Sequence, residues 1–394
     1  MNIFRKLENG FKLKFLKKKV LYNFHKYCDE KNGHALMYYK TDPFFSSGLV
    51  KKYSHPNNWQ VFEIAKILNK LGFWVDIIDR SININELKLK DKYDLFIGIG
   101  GGGSGKYYFD ITSKLDKAIK IFYASTQEQS IYNSALKKRY DYFSERHPNQ
   151  KFSQKGIFET DKTKIIDNID AILSVGNGYA INTFRDYKKP IFRIHPSTSP
   201  KIKFNIRDIK KKNQNKFFYF AGSRNILKGL DLLIESFSEL PNLELYICTS
   251  AREKKFNDFY EKTLLEAKNI HWVGNIDVGG KKFNEITLGS GYVILPSSTE
   301  GTATSVTTCM RRGLVPIVTE QAGIDIKDFG YLIKDIRVDS LKNQIKAISK
   351  ESREDFLERS KKAYLESFKY TQANYSEDLE KALISILTKH EKII

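Results

Sequence analysis

The chain has 394 residues, of which 66 are Lys or Arg and 46 Asp or Glu, a formal net charge of +20. That length accommodates two ordinary domains with a core each, and the charge points to an anionic partner: a nucleotide-sugar, an anionic lipid, an acidic glycan or nucleic acid. Three widely spaced cysteines, Cys28, Cys248 and Cys309, exclude a disulfide framework and a zinc site, and no uncharged apolar run is long enough to span a bilayer.

Residues 1–33 form a basic N-terminal extension. Within 1–31, Arg5, Lys6, Lys12, Lys14, Lys17, Lys18 and Lys19 interleave with Phe4, Leu7 and Phe11 and with Leu13, Leu16, Val20 and Phe24. This spacing predicts an amphipathic helix that can lie on an anionic membrane surface or pack on the next domain.

From His34 the pattern alternates between strand and helix. Strands are expected at 35–39, 73–78, 93–98, 118–123 and 169–175, and a helix runs through Trp59, Phe62, Ile67 and Leu71 to Gly72. Short links between such elements build βαβ units, so residues 34–205 read as a doubly wound, Rossmann-like domain. Two loops follow strand ends, where open α/β sheets bind ligands: Ser54-His-Pro-Asn-Asn-Trp59, offering His55 and Asn58, and the glycine-rich 98–106, offering Gly100, Gly101 and Gly102. The second loop also fits Gly-x-x-x-x-Gly-Lys, but Tyr107 follows Lys106 where a P-loop needs an aliphatic hydroxyl for Mg²⁺.

Residues 206–216 are polar and basic and read as a linker. A second Rossmann-like domain, 217–370, opens on the strand 217–220. The loop after it holds Gly222, Ser223, Arg224 and Lys228 ahead of a helix marked by Leu230, Leu233, Ile234 and Phe237. Two cations at a sheet edge suit a diphosphate. Strands at 243–248 and 270–274 follow, and the loop of the latter brings Ile276 toward a nucleotide base. A helix is expected at 256–267 and a short one at 283–288. Further strands are expected at 291–295, 314–318 and 331–333, helices at 340–350 and 353–370, and a last helix at 375–387 within 371–394.

The strand 291–295 leads into Pro296-Ser-Ser-Thr-Glu-Gly-Thr-Ala-Thr-Ser305, with Thr302, Thr304, Ser305 and Thr308 near a helix start. Free N–H groups there attract phosphate or sugar oxygens. Glu300 and Gly301 sit at the mouth of that site, where a carboxylate accepts from neutral sugar hydroxyls. Pro296, Ser297, Glu300, Gly301 and Gly313-Leu-Val-Pro-Ile317 resemble the donor loop of the retaining GT-B glycosyltransferases of the GT4 type. The 222–229 loop resembles that family's Gly-x-Arg…Lys-Gly segment, with a gap one residue shorter. That family also opens its acceptor-domain helix on a sequence similar to the one at His55, Asn58 and Trp59. Thr308 stands where the family carries a second Glu that grips the nucleotide ribose.

The resemblance implies a GT-B fold: two parallel-sheet domains facing a cleft, with the C-terminal helix crossing back to the first. It also implies sugar transfer from a nucleotide-diphosphate donor to a glycan or lipid-linked acceptor with retention of configuration. Lys228, Arg224 and Glu300 would carry the chemistry. No Asp-x-Asp pair occurs in the chain, so no metal and no cofactor is expected. A cytoplasmic location, peripheral on the inner membrane face, and a role in capsule or lipopolysaccharide synthesis follow as expectations. The competing reading is a catalytically inactive GT-B module that binds carbohydrate or nucleotide. No nucleic-acid-binding motif accompanies the charge.

Overall fold

The computed structural model describes residues 19–45, 56–83, 85, 87–90, 92–99, 107–150, 152, 154, 156–157, 167–249 and 253–391. Of the expected site residues, His55, Gly100, Gly101 and Gly102 lie outside them, as do residues 1–18 of the basic extension.

Two sheets carry the fold. The first contains β1 (Val20–Phe24), β2 (Gly33–Tyr39), β3 (Phe73–Asp79), β4 (Leu95–Ile99), β5 (Ile119–Ala124), β6 (Ala171–Ser174) and β7 (Ile191–Arg193), in the order β1-β3-β2-β4-β5-β6-β7. The second contains β8 (Asn213–Phe220), β9 (Glu244–Cys248), β10 (Ile270–Trp272), β11 (Ser290–Leu295), β12 (Val315–Thr319) and β13 (Tyr331–Ile333), in the order β10-β9-β8-β11-β12-β13. Every pairing is parallel except that of β1 with β3. Parallel strands with helices on both faces must be apolar on both faces; β4, β11 and β12 are buried along their whole lengths. Strand order reverses at β2/β4 and at β8/β11, the two places where such sheets leave a crevice for a ligand.

The last helix, Gln372–Lys389, buries Tyr375, Leu379, Ala382, Leu383, Ile386 and Leu387 in the core of the first domain, beside Trp59 and Ile64. Its chain therefore returns across the molecule, as the GT-B reading requires. Tyr123 and Tyr375 share a hydroxyl hydrogen bond of 3.1 Å there.

Three elements differ from the sequence reading. Val20–Phe24 is an edge strand, not a helical segment. Asp76, fully buried on β3, accepts from the Asn23 backbone N–H at 2.7 Å and from the Tyr93 hydroxyl at 2.7 Å. A buried carboxylate needs such donors, and they fix the extended chain of β1 beside it. The second difference is at the expected linker. Its last residues are already strand, because β8 starts at Asn213 and pairs Lys216 with Glu244. These polar side chains sit on the partly exposed lead of β8, which hides the strand from hydropathy. The third is the expected helix 353–370, which ends at Glu366 and gives way to a tighter turn over Ser367–Lys369.

The helix Gln129–Arg146 was not foreseen. It connects β5 to β6, yet Tyr132, Leu136, Arg139 and Phe143 of its buried face pack on the second domain. Arg139 pairs with Asp231, both fully buried, and Arg146 reaches Asp231 at 2.6 Å and Glu235 at 2.8 Å. His147 adds a contact to Glu235 at 2.9 Å. A helix of the first domain is thus strapped to the second by apolar packing and a largely buried ionic network.

Candidate active site

The site is built where β8 and β11 end side by side. The loop after β8 must turn sharply toward the next helix, and Gly229 makes the turn at φ +72°. A Cβ there would lie 2.5 Å from the Pro296 carbonyl oxygen, so the two strand-end loops meet only because residue 229 has no side chain. This contact sets Lys228 against the loop after β11.

Lys228 Nζ donates to Glu300 Oε1, and Ser297 Oγ donates to the same oxygen at 3.1 Å. Both charged side chains are about four-fifths buried. The ammonium has two further donors, and the carboxylate a second oxygen, for a ligand at this point.

Arg224 is held by partners of its own. It has a left-handed backbone (φ 74°), its backbone N–H donates to Glu253, and its guanidinium donates to the Tyr132 hydroxyl on the strapping helix. Glu253 also accepts from the Asn225 backbone N–H at 3.0 Å, and Thr249 Oγ1 donates to the Gly222 carbonyl at 2.8 Å. Glu253, Thr249 and Tyr132 therefore shape the cationic loop. None has a local sequence signal, because each acts across the fold.

A cavity of about 420 Å³ opens along the same strand ends. Gly222 and Ala221 from the β8 end, Asn275 to Val278 from the β10 end, and Thr304, Ser305 and Thr308 from the helix Thr304–Met310 line it. The first domain adds Pro56 and Trp59, and the crossover segment adds Ser197 to Lys201. Apolar walls from Trp59, Phe220, Ile276 and Val278 suit a planar base, and the hydroxyls and Lys201 suit a ribose and phosphates. Gly222, Ile276, Thr304, Ser305 and Thr308 are thereby brought together. Ser223 is exposed on the loop, and Thr302 is half-buried outside the cavity lining. Asn58 receives a 2.7 Å hydrogen bond from Lys40 near the same helix start.

Gly301 defines how close the two domains come. A Cβ at this position would be 2.4 Å from the Ser125 carbonyl oxygen and 2.6 Å from that of Val175. The ends of β5 and β6 therefore press directly on the Glu300 turn. Across the same seam Gln127 Nε2 donates to the Gln321 carbonyl at 3.1 Å, Asn177 Nδ2 to that of Glu320 at 3.2 Å, and Arg193 pairs with Asp325 at 2.6 Å. The two domains are closed on one another.

Burial pushes Cys248 up to about 12 and Cys309 well above its ordinary value, and raises Cys28 too. Among the described residues no group of His, Cys, Asp and Glu could hold a metal ion, and no helix is long and apolar enough to cross a membrane.

Residues 201–363 match the sequence model of glycosyl transferases group 1. No curated protein sequence matches the chain significantly. Among solved structures it is similar to HepE of Anabaena in complex with UDP and glucose (10% identity, TM-score 0.58, covering 89% of this chain and 100% of that one). It is similar also to WaaG, a glycosyltransferase involved in lipopolysaccharide biosynthesis (17%, TM-score 0.53, 89% and 99%). A third is a mutant of S. aureus TarM with fondaparinux, alpha-GlcNAc-glycerol and UDP (16%, TM-score 0.51, 76% and 56%). The chain thus spans little more than half the length of TarM. At these identities the likeness is one of fold. The architecture is that of a GT-B glycosyltransferase, and the group 1 match lies over the half that carries Lys228 and Glu300.

Proposed function

We propose that the protein transfers a sugar from a nucleotide-diphosphate donor to a glycan or lipid-linked acceptor. The observation that carries this reading is the Lys228–Glu300 pair, held by the same strand-end loops that supply Gly222, Thr304 and Ser305 to the cavity between the domains. A base and ribose fit between Ile276, Phe220 and Thr308, the diphosphate would run past Gly222 and the start of the helix Thr304–Met310, and the sugar would reach Glu300. As the bond from the anomeric carbon to the phosphate oxygen breaks, charge grows on the departing diphosphate. Lys228 and the backbone N–H groups stabilise it most at that moment. The acceptor oxygen bonds to the anomeric carbon, and its proton passes to the leaving phosphate.

Metal independence is supported by the lack of an Asp-x-Asp pair in the sequence. Retention of configuration rests on the GT4-like loop at 296–301. The similarity in fold to WaaG and TarM favours a surface-polysaccharide role on the inner face of the cytoplasmic membrane, with residues 1–31 touching anionic lipid and His55, Asn58 and Gly100 to Gly102 toward the acceptor. The test is incubation with a panel of UDP- and GDP-sugars plus acceptor extracts. Release of nucleoside diphosphate with sugar transfer supports the proposal; binding with neither hydrolysis nor transfer would make the protein an inactive binding module.

A further inference from the structure

The residues that line the cavity between the domains are mostly apolar, hydroxyl-bearing or amide-bearing, and only Lys201 and Asp277 among them carry charge. Asp277 is therefore the one carboxylate of the lining. Like charges repel, so a carboxylate has no use beside a diphosphate. Its neighbours in the lining are Ile276 and Val278, the apolar wall suited to a planar base, with Asn275 next along the chain.

The local chain fixes this carboxylate in place. The Gly280 N–H donates to the Asp277 carbonyl at 3.0 Å and closes a turn in which Gly279 has φ +79°, the left-handed conformation that the third residue of such a turn requires. A Cβ on Gly279 would lie 3.1 Å from the Lys201 carbonyl oxygen and 3.3 Å from Lys201 Cβ. The crossover segment is thus seated against the turn and braces it. Lys201 nevertheless forms no ion pair with Asp277, and among the described residues neither the Asp277 carboxylate nor the Asn275 amide has a hydrogen-bond partner. Both residues are exposed, so their polar atoms are open to a ligand in the cavity.

The chemistry of this pair selects among bases. A carboxylate only accepts hydrogen bonds, through two oxygens side by side, whereas a side-chain amide can donate. The pairing edge of guanine offers two adjacent donors, N1–H and the N2 amino group, next to one acceptor, O6. Uracil offers a single donor between two acceptors, so its second carbonyl would face a carboxylate oxygen. Adenine and cytosine each turn a ring-nitrogen lone pair toward it. We infer that the donor is a guanine nucleotide, with Asp277 accepting from N1–H and N2–H and Asn275 donating to O6. Uracil can enter the same slot, but without the paired contact at Asp277. This assignment rests on the glycosyltransferase reading above and names the donor class for that same cavity.

The test is isothermal titration calorimetry of the full chain with GDP, UDP, ADP and XDP, the xanthine analogue whose C2 oxygen replaces the amino group of guanine. The wild type should bind GDP roughly 10–100-fold more tightly than any of the other three, the discrimination that a good bidentate contact to a base supplies. In Asp277→Asn one acceptor becomes a donor, so the variant should bind XDP more tightly than GDP. Its unliganded melting temperature should match that of the wild type, because the replaced side chain is exposed and has no partner. If the wild type binds UDP or ADP as tightly as GDP, or if Asp277→Asn keeps the wild-type ratio of GDP to XDP affinity, the assignment is wrong while the transferase reading stands. If the wild type binds none of these diphosphates, the transferase reading itself fails.

Discussion

Lys228 and Glu300 are 72 residues apart in the chain, and their side chains meet in an ion pair at the ends of β8 and β11. Neither is exposed enough for the pair to be a surface ornament, and neither is sealed away from a ligand. On the proposed mechanism, Lys228→Ala removes the cation that would face the leaving diphosphate, and it leaves Glu300 without its partner. Turnover should drop by about 10²-fold or more, the range found when a preorganised stabilising group is deleted, while circular dichroism and thermal unfolding stay close to wild type. Steady-state kinetics with the best donor sugar checks this; an unchanged kcat would remove Lys228 from the chemistry.

Gly301 predicts how closure matters. Alanine at this position puts a methyl group at 2.4 Å from the Ser125 carbonyl oxygen, and a backbone oxygen cannot move aside without moving β5. Gly301→Ala should therefore part the domains, raise the radius of gyration in X-ray scattering, and slow transfer by roughly 10²-fold through misplacement of the reacting groups. UDP binding should survive, because most of the cavity wall belongs to the second domain.

The strapping helix predicts an asymmetric mutational response. Asp231→Ala strands the fully buried Arg139 without its counter-charge, which should cost about 3–5 kcal/mol in urea unfolding. Replacing both residues, as in Arg139→Met with Asp231→Leu, should recover most of that loss, since an apolar pair of similar volume in a buried site is often neutral. A double variant as unstable as the single one would show that the helix is held by something other than this pair.

Acid should loosen the same strap. Burial raises the Glu235 carboxyl, but hydrogen bonds from Arg146, Tyr260 and His147 outweigh it and hold the group below its ordinary value. A carboxyl depressed in the folded state adds stability above its unfolded pKa of about 4.3, and that stability is lost as pH falls through the folded value. The melting temperature of wild type minus that of Glu235→Gln should shrink as pH is lowered from 6 toward 3. A constant difference would contradict the pairing.

How much of this was legible in the sequence depends on the range of the forces involved. The parallel sheets were legible because continuous apolar runs such as Tyr292 to Leu295 answer to local burial, and the loop at 296–301 stands out because Pro296, Glu300 and Gly301 are neighbours in the chain. The edge strand at Val20–Phe24 was not, since it is fixed by Asp76, more than fifty residues away. The strapping helix also escaped: two of the five positions on its buried stripe are the polar Gln129 and Arg139, and the partner of Arg139, Asp231, lies in the other domain. Spacing alone sets Arg224 beside Lys228 but does not reveal Tyr132 and Glu253, which accept from its guanidinium and its backbone N–H.

On the proposed mechanism the second domain holds a nucleoside diphosphate with its phosphates against Lys228. A crystal structure of the protein soaked with UDP measures this directly. The uracil should lie between Ile276 and Phe220, with the terminal phosphate within hydrogen-bonding distance of Lys228 Nζ and of the backbone at Gly222. UDP found anywhere else, with Lys228 still bound only to Glu300, would contradict it.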